Sequence, residues 1–191
     1  MRVSSLSKGA LVAAALCLAG AALPASLLAG GPKVMDVSPT AFQAEASSLL
    51  GQIRQTAIGV KNDADQLQML TRQGYEAGWE GDSSLLEDIR DQVNEMNKLL
   101  RDLRVHQAEA SPAQQEIIER VTAPTLELAG ATQGAIVTLN NNESHVYMTN
   151  LPTVANDIYD EASRVAQTVG NFDKYSHSLQ EEQDLKKTLG I

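Results

Sequence analysis

The 191 residues carry 15 Lys and Arg against 24 Asp and Glu, a formal charge of -9, and only 4% of them are aromatic. The length suits one ordinary domain and 43% hydrophobic residues can supply its core, while the scarcity of aromatic residues argues against a sandwich or barrel and for helices. A net negative surface with no Lys/Arg cluster repels phosphate backbones and argues against nucleic acid as a partner.

Arg2 and Lys8 are the only charges before Lys33, and an Ala- and Leu-rich run from Gly9 to Gly31 follows them. This is the pattern of an export signal over residues 1–30, with a mature start between Leu23 and Gly31 and a flexible mature N-terminus over 31–37. The alternative is an uncleaved anchor, since the run is long enough to cross about 30 Å of hydrocarbon, although Pro24 favours cleavage. Cys17 is preceded by Leu16 rather than the small residue of a lipidation site. Removal of residues 1–30 takes both bases and the one cysteine with it, leaving 13 basic and 24 acidic residues. An exported, periplasmic or extracellular protein without disulfides then depends on packing alone.

Residues 38–191 divide into four amphipathic stretches, taken here in order. Ser38 and Pro39 have the form of a helix cap followed by proline at the first helical position. Ala46, Ile53, Val60 and Leu67, with Leu50, Ala57 and Ala64 between them, make one apolar stripe to about Gly74. The second stretch is expected to open at Asp82-Ser83-Ser84, with Ser84 and Glu87 as a capping box, and to run through Leu86, Ile89, Val93, Met96, Leu100 and Leu103. The third opens at Ser111-Pro112 with Gln114 in the reciprocal capping position, and carries Ile117, Val121, Leu128, Ala135 and Leu139. A kink is expected near Pro124, and Gly130 and Gly134 fit a site of close helix approach or simple tolerance. The fourth begins near Pro152 and carries Val154, Ile158, Ala162, Val165, Val169, Phe172 and Leu179, with Lys186, Lys187 and then Gly190 at its end. With connections of about ten, three and ten residues, the most economical fold is all-α, an antiparallel up-down-up-down four-helix bundle.

Chemistry-bearing residues do not converge. His106, His145 and His177 lie off the apolar stripes, and Glu143 and His145 lack the Glu-x-x-His spacing of a di-metal bundle, so no metal site and no catalytic set is expected. Asp173 and His177 have the spacing of a solvated surface pair. No Cys-x-x-Cys-His exists for covalent haem. Non-covalent haem between Met35 and His177 is the alternative cofactor reading, set against an expectation of no cofactor. No Gly-x-Ser-x-Gly turn or phosphate loop is present.

The stated topology places the first and third connections at one end of the bundle, which gathers Tyr75 and Trp79 with His145, Tyr147 and Met148. These five are the candidate contacts for a ligand or partner, against the plainer alternative of a satellite core that plugs the bundle end.

From about Met69 to Ile191 the chain resembles a group of exported bacterial helical proteins with no assigned activity. The resemblance rests on Trp79, Gln115-Glu116, Leu139-Asn140-Asn141 and the run Tyr159-Asp160-Glu161-Ala162-Ser163. It departs from that pattern at the third connection, where Tyr147 and Met148 stand in place of a Trp and a Tyr-containing helix start. The resemblance implies an exported helical fold and no mechanism. The function expected is a non-enzymatic interaction or scaffolding module of the cell envelope, with an unknown protein partner, a homodimer as one arrangement, and membrane contact only if residues 1–30 are retained. The alternative is a small-ligand or haem-binding bundle.

Overall fold

The computed structural model describes residues 41–73, 79–143, 145 and 149–190, and among these every regular element is helical. The elements are α1 (Ala41–Gln73), α2 (Trp79–Val105), a 3-10 turn (Gln107–Glu109), α3 (Pro112–Asn140) and α4 (Leu151–Leu189). The expected export signal over 1–30, the expected mature N-terminus over 31–37 and the expected Ser38-Pro39 cap lie outside the described residues.

The sevenfold spacing of α1 does what it predicts. Ala46, Leu50, Ile53, Ala57, Val60, Ala64 and Leu67 are all buried, because residues three and four apart share one face of a helix. They meet Leu86, Ile89, Val93, Met96, Leu100 and Leu103 of α2 in a core completed by α3 and α4. α1 packs on α2 and α4, and α3 packs on the same two helices. Each fully buried Leu or Ile of this core, such as Leu67, Ile89 or Ile158, contributes about 1.5–3 kcal/mol relative to exposure.

Helix α2 departs from expectation at its start. It begins at Trp79, and Ser84 and Glu87 sit inside the helix rather than in a capping box. Glu80 and Asp82 supply acids to the first turn, where they complement the helix dipole. This turn lies beside α1, where a Cβ on the exposed Gly81 would make an ordinary contact with Leu70 Cδ1 at 3.6 Å. The first connection is correspondingly shorter than ten residues. The second is longer than three, because residues 106–111 include the 3-10 turn.

At α3 the Ser-Pro start forms as expected. Ser111 Oγ accepts from the Gln114 N–H and Gln114 Oε1 accepts from the Ser111 N–H, a complete capping box. The core-facing set is corrected in one respect. Ile118, not Ile117, is fully buried, and it recurs at seven-residue steps with Thr125, Thr132 and Leu139. The two threonines enter the core because their hydroxyls donate to the carbonyls of Val121 and Leu128 at 2.7 and 2.8 Å. Helix α3 is continuous through the buried Pro124.

Helix α4 starts at Leu151, after Asn150, with proline in its first turn. It ends at Gly190, whose φ of 71° is the left-handed cap that glycine adopts freely. Lys186 and Lys187 lie in the last turn. Its core side is Leu151, Ala155, Ile158, Ala162, Val165, Val169 and Phe172, whereas Val154 is half-buried and Leu179 is exposed.

Candidate functional site

Of the five residues expected to gather at one end, Tyr75, Tyr147 and Met148 lie outside the described residues. Trp79 is the first residue of α2 and is 38% exposed. His145 is exposed, with its backbone N–H donating to the Asn142 carbonyl at 2.7 Å.

One turn after Trp79 stands a residue that the sequence reading treated only as a helix start. Asp82 is 4% exposed, and its Oδ1 has no hydrogen-bond partner. Removal from water disfavours the charged form, and burial pushes its carboxyl up to about 6. Its position was legible, since Asp82 lies four residues before Leu86 and continues the α2 stripe back by one turn. A single carboxyl shifted in this way is not by itself a catalytic arrangement, which needs a second group within reach.

The histidines occupy surface positions. His106 Nδ1 lies 3.1 Å from Glu109 Oε1, and its ring centroid is 5.4 Å from that of Phe42. His177 pairs with Glu181 at 3.2 Å, not with Asp173, which instead meets Arg54 of α1 at 3.5 Å. Met35, the other half of the haem alternative, lies outside the described residues. Among the described residues, no group of three or more His, Cys, Asp and Glu could hold a metal, and no helix is long and apolar enough to cross a membrane.

A second carboxyl is perturbed where α3 meets α4. Arg164 bridges Glu161 at 3.2 Å and Glu127 at 3.3 Å. Burial raises the Glu161 carboxyl above its usual range, Arg164 opposes this, and the neighbouring Glu127 reinforces it. Nearer the start of α3, Ala113, Ile117 and Arg120 face Phe172 and Tyr175 of α4 across a groove open to solvent.

The outward side of α3 carries exposed apolar residues and two glycines. Ala123, Leu126, Gly130, Gly134 and Val137 follow one another at three- and four-residue steps and all are exposed, Leu126 by 60% and Val137 by 47%. Nothing lies within 4 Å of where a Cβ would stand on Gly130 or Gly134, so neither glycine is a site of close helix approach within the chain. No charged residue occurs from Leu128 to Asn142. In the sequence the two glycines fit either close helix approach or simple tolerance, which does not single out this surface. The signal was the charge-free run itself, twice the length of one buried stripe repeat.

No protein-family model, curated protein or solved structure matches this chain.

Proposed function

We propose that the protein is an exported, non-enzymatic helical module of the cell envelope that binds another protein through the outward face of α3, with its four helices arranged as an antiparallel up-down-up-down bundle. Pairing between neighbours supports that arrangement. Arg54 meets Asp173 and Gln68 meets Asn156, so numbers rise along α1 as they fall along α4. Asp63 with Gln92, and Phe42 with His106 just past the end of α2, set α1 and α2 antiparallel in the same way.

The observation that carries the functional reading is the uncharged stripe Ala123, Leu126, Gly130, Gly134 and Val137 on an otherwise acidic chain. Each exposed helical glycine costs about 1 kcal/mol against alanine, and nothing inside the chain uses the space they leave. A docked helix would use it, since small residues let two backbones approach closely and Leu126 and Val137 supply apolar contact. The scattered surface placement of the three histidines supports a binding role rather than a hydrolytic one.

The test is site-specific photo-crosslinking in the native host, with the probe at Leu126 or Val137 and a control probe at the exposed Asn62 of α1. Adducts of discrete mass at the α3 positions alone are expected; equal labelling at Asn62, or none at α3, refutes the docking face. Mass spectrometry of the mature N-terminus is expected to find a start between Leu23 and Gly31, and retention of Gly9 to Gly31 would make the protein anchored. An absorption spectrum without a Soret band is expected for protein from the same source, and a Soret band would favour the haem-binding alternative.

A further inference from the structure

Beyond Phe172 no residue of α4 is buried, and from His177 to Gly190 every residue is exposed. The helix nevertheless continues to Leu189. The packed part of α4 already supplies the helix nucleus, so this tail adds one backbone bond per residue with no tertiary burial of its own. Its surface is patterned. Phe172, Tyr175, Leu179, Glu182, Lys186 and Leu189 recur at alternating steps of three and four, the heptad spacing of a coiled-coil seam. Tyr175, Leu179 and Leu189 on that seam are 56%, 38% and 61% exposed.

We infer that this seam is a self-association surface on which two copies of the protein pair their α4 helices antiparallel over residues 179–189. Antiparallel pairing sets one type of seam position against the other. Leu179 then faces the partner's Leu189, and Glu182 faces the partner's Lys186, with both pairs repeated by the twofold axis. The order Leu-Glu-Lys-Leu is its own complement when reversed, which is what selects a second copy as the occupant. Parallel pairing would place Glu182 on Glu182 and Lys186 on Lys186, and like charges facing each other oppose it. Within one chain Lys186 Nζ already meets Glu182 Oε1 at 2.6 Å, so both side chains are extended along the seam and exchange a neighbour in the same helix for one across it.

The charged layers set register and direction at a cost in affinity. The overlap is also short, about 16 Å at 1.5 Å per residue, and buries less than the roughly 1,600 Å² of a standard stable interface. The expected dimer is therefore weak and concentration-dependent, with a Kd of about micromolar or above. This pairing uses a surface separate from the α3 face and stands or falls independently of it.

Sedimentation equilibrium on the full chain, carried from micromolar to millimolar concentration, tests the inference. Glu182→Lys and Lys186→Glu change exposed residues outside the core, so helical content should equal that of the wild type. Each is expected to weaken the dimer at least tenfold, and both the equimolar mixture of the two variants and the double variant E182K/K186E are expected to recover it. Direction is read by oxidation in a Cys17→Ser background: Leu179→Cys and Leu189→Cys should crosslink when mixed and not singly. A monomer throughout the range, a dimer indifferent to both charge reversals, or crosslinking of either cysteine variant with itself overturns the proposal.

Discussion

Gln114 joins two helix starts that are 71 positions apart. Its Nε2 donates to the main-chain carbonyl of Gln43 at 2.7 Å and to Ser47 Oγ at 3.0 Å, while its Oε1 caps Ser111. The side chain is 5% exposed, so one residue both closes the α3 capping box and ties α3 to the first turn of α1.

Gln114→Ala should therefore cost more than an ordinary cap. Loss of the capping interaction is worth about 1 kcal/mol, and loss of the two hydrogen bonds to α1 adds about 1–2 kcal/mol. A total near 2–3 kcal/mol is expected in urea denaturation. A loss below 0.5 kcal/mol on the same order-of-magnitude scale would mean that water replaces the side chain without penalty.

Asp82 makes stability depend on pH in a stated direction. Its carboxyl is raised from 3.8 to about 6 in the folded chain, so folding favours the protonated form. The stability this group contributes is complete below about pH 4 and is lost as pH rises through 6, a change of order 2–3 kcal/mol. Asp82→Asn is expected to be more stable than the wild type at pH 7 and to flatten the decline between pH 4 and 7. Denaturation at the two pH values, followed by helical content, decides the matter. Equal slopes for variant and wild type would remove Asp82 as the cause.

The two exposed glycines of α3 separate stability from binding. An added Cβ meets nothing at either position, so Gly130→Ala and Gly134→Ala should each stabilise the isolated protein by up to about 1 kcal/mol. The same changes should weaken capture at the α3 face in the native host. Loss of stability on alanine substitution would show that the space belongs to the fold.

Thr132 tests how a polar residue sits in the core. Its hydroxyl is bonded within its own helix, and the Leu128 carbonyl it uses can also bond the backbone. Thr132→Val should change stability by no more than about 1 kcal/mol, whereas Thr132→Ser, which removes a methyl from a buried site, should cost about 1 kcal/mol. Thermal melts of both variants would reveal an interhelical role for the hydroxyl if the valine form proved the less stable.

Much of the fold was legible in the chain because helical periodicity is a local property. The stripes of α1 and α2, the Ser111-Pro112-Gln114 start and the Lys186-Lys187-Gly190 end all formed where their spacing placed them. The start of α2 was misread for a physical reason. Ser84 and Glu87 have the chemistry of a capping box, but a helix extends past such a signal when the turn before it can pack, as the buried Asp82 does. The candidate end site was legible only as a topological expectation, and of its residues Trp79 and His145 alone are described.

Composition and spacing by themselves determined that the chain is helical and where most of its apolar stripes run, since each follows from neighbours a few positions apart. Tertiary structure alone decided which stripes find a partner. It put the threonines of α3 inward and its glycines outward, left the Asp82 Oδ1 without a hydrogen-bond partner and left the end of α4 bare. These outcomes depend on how four helices share one core, and a residue's own neighbours in sequence do not carry that information.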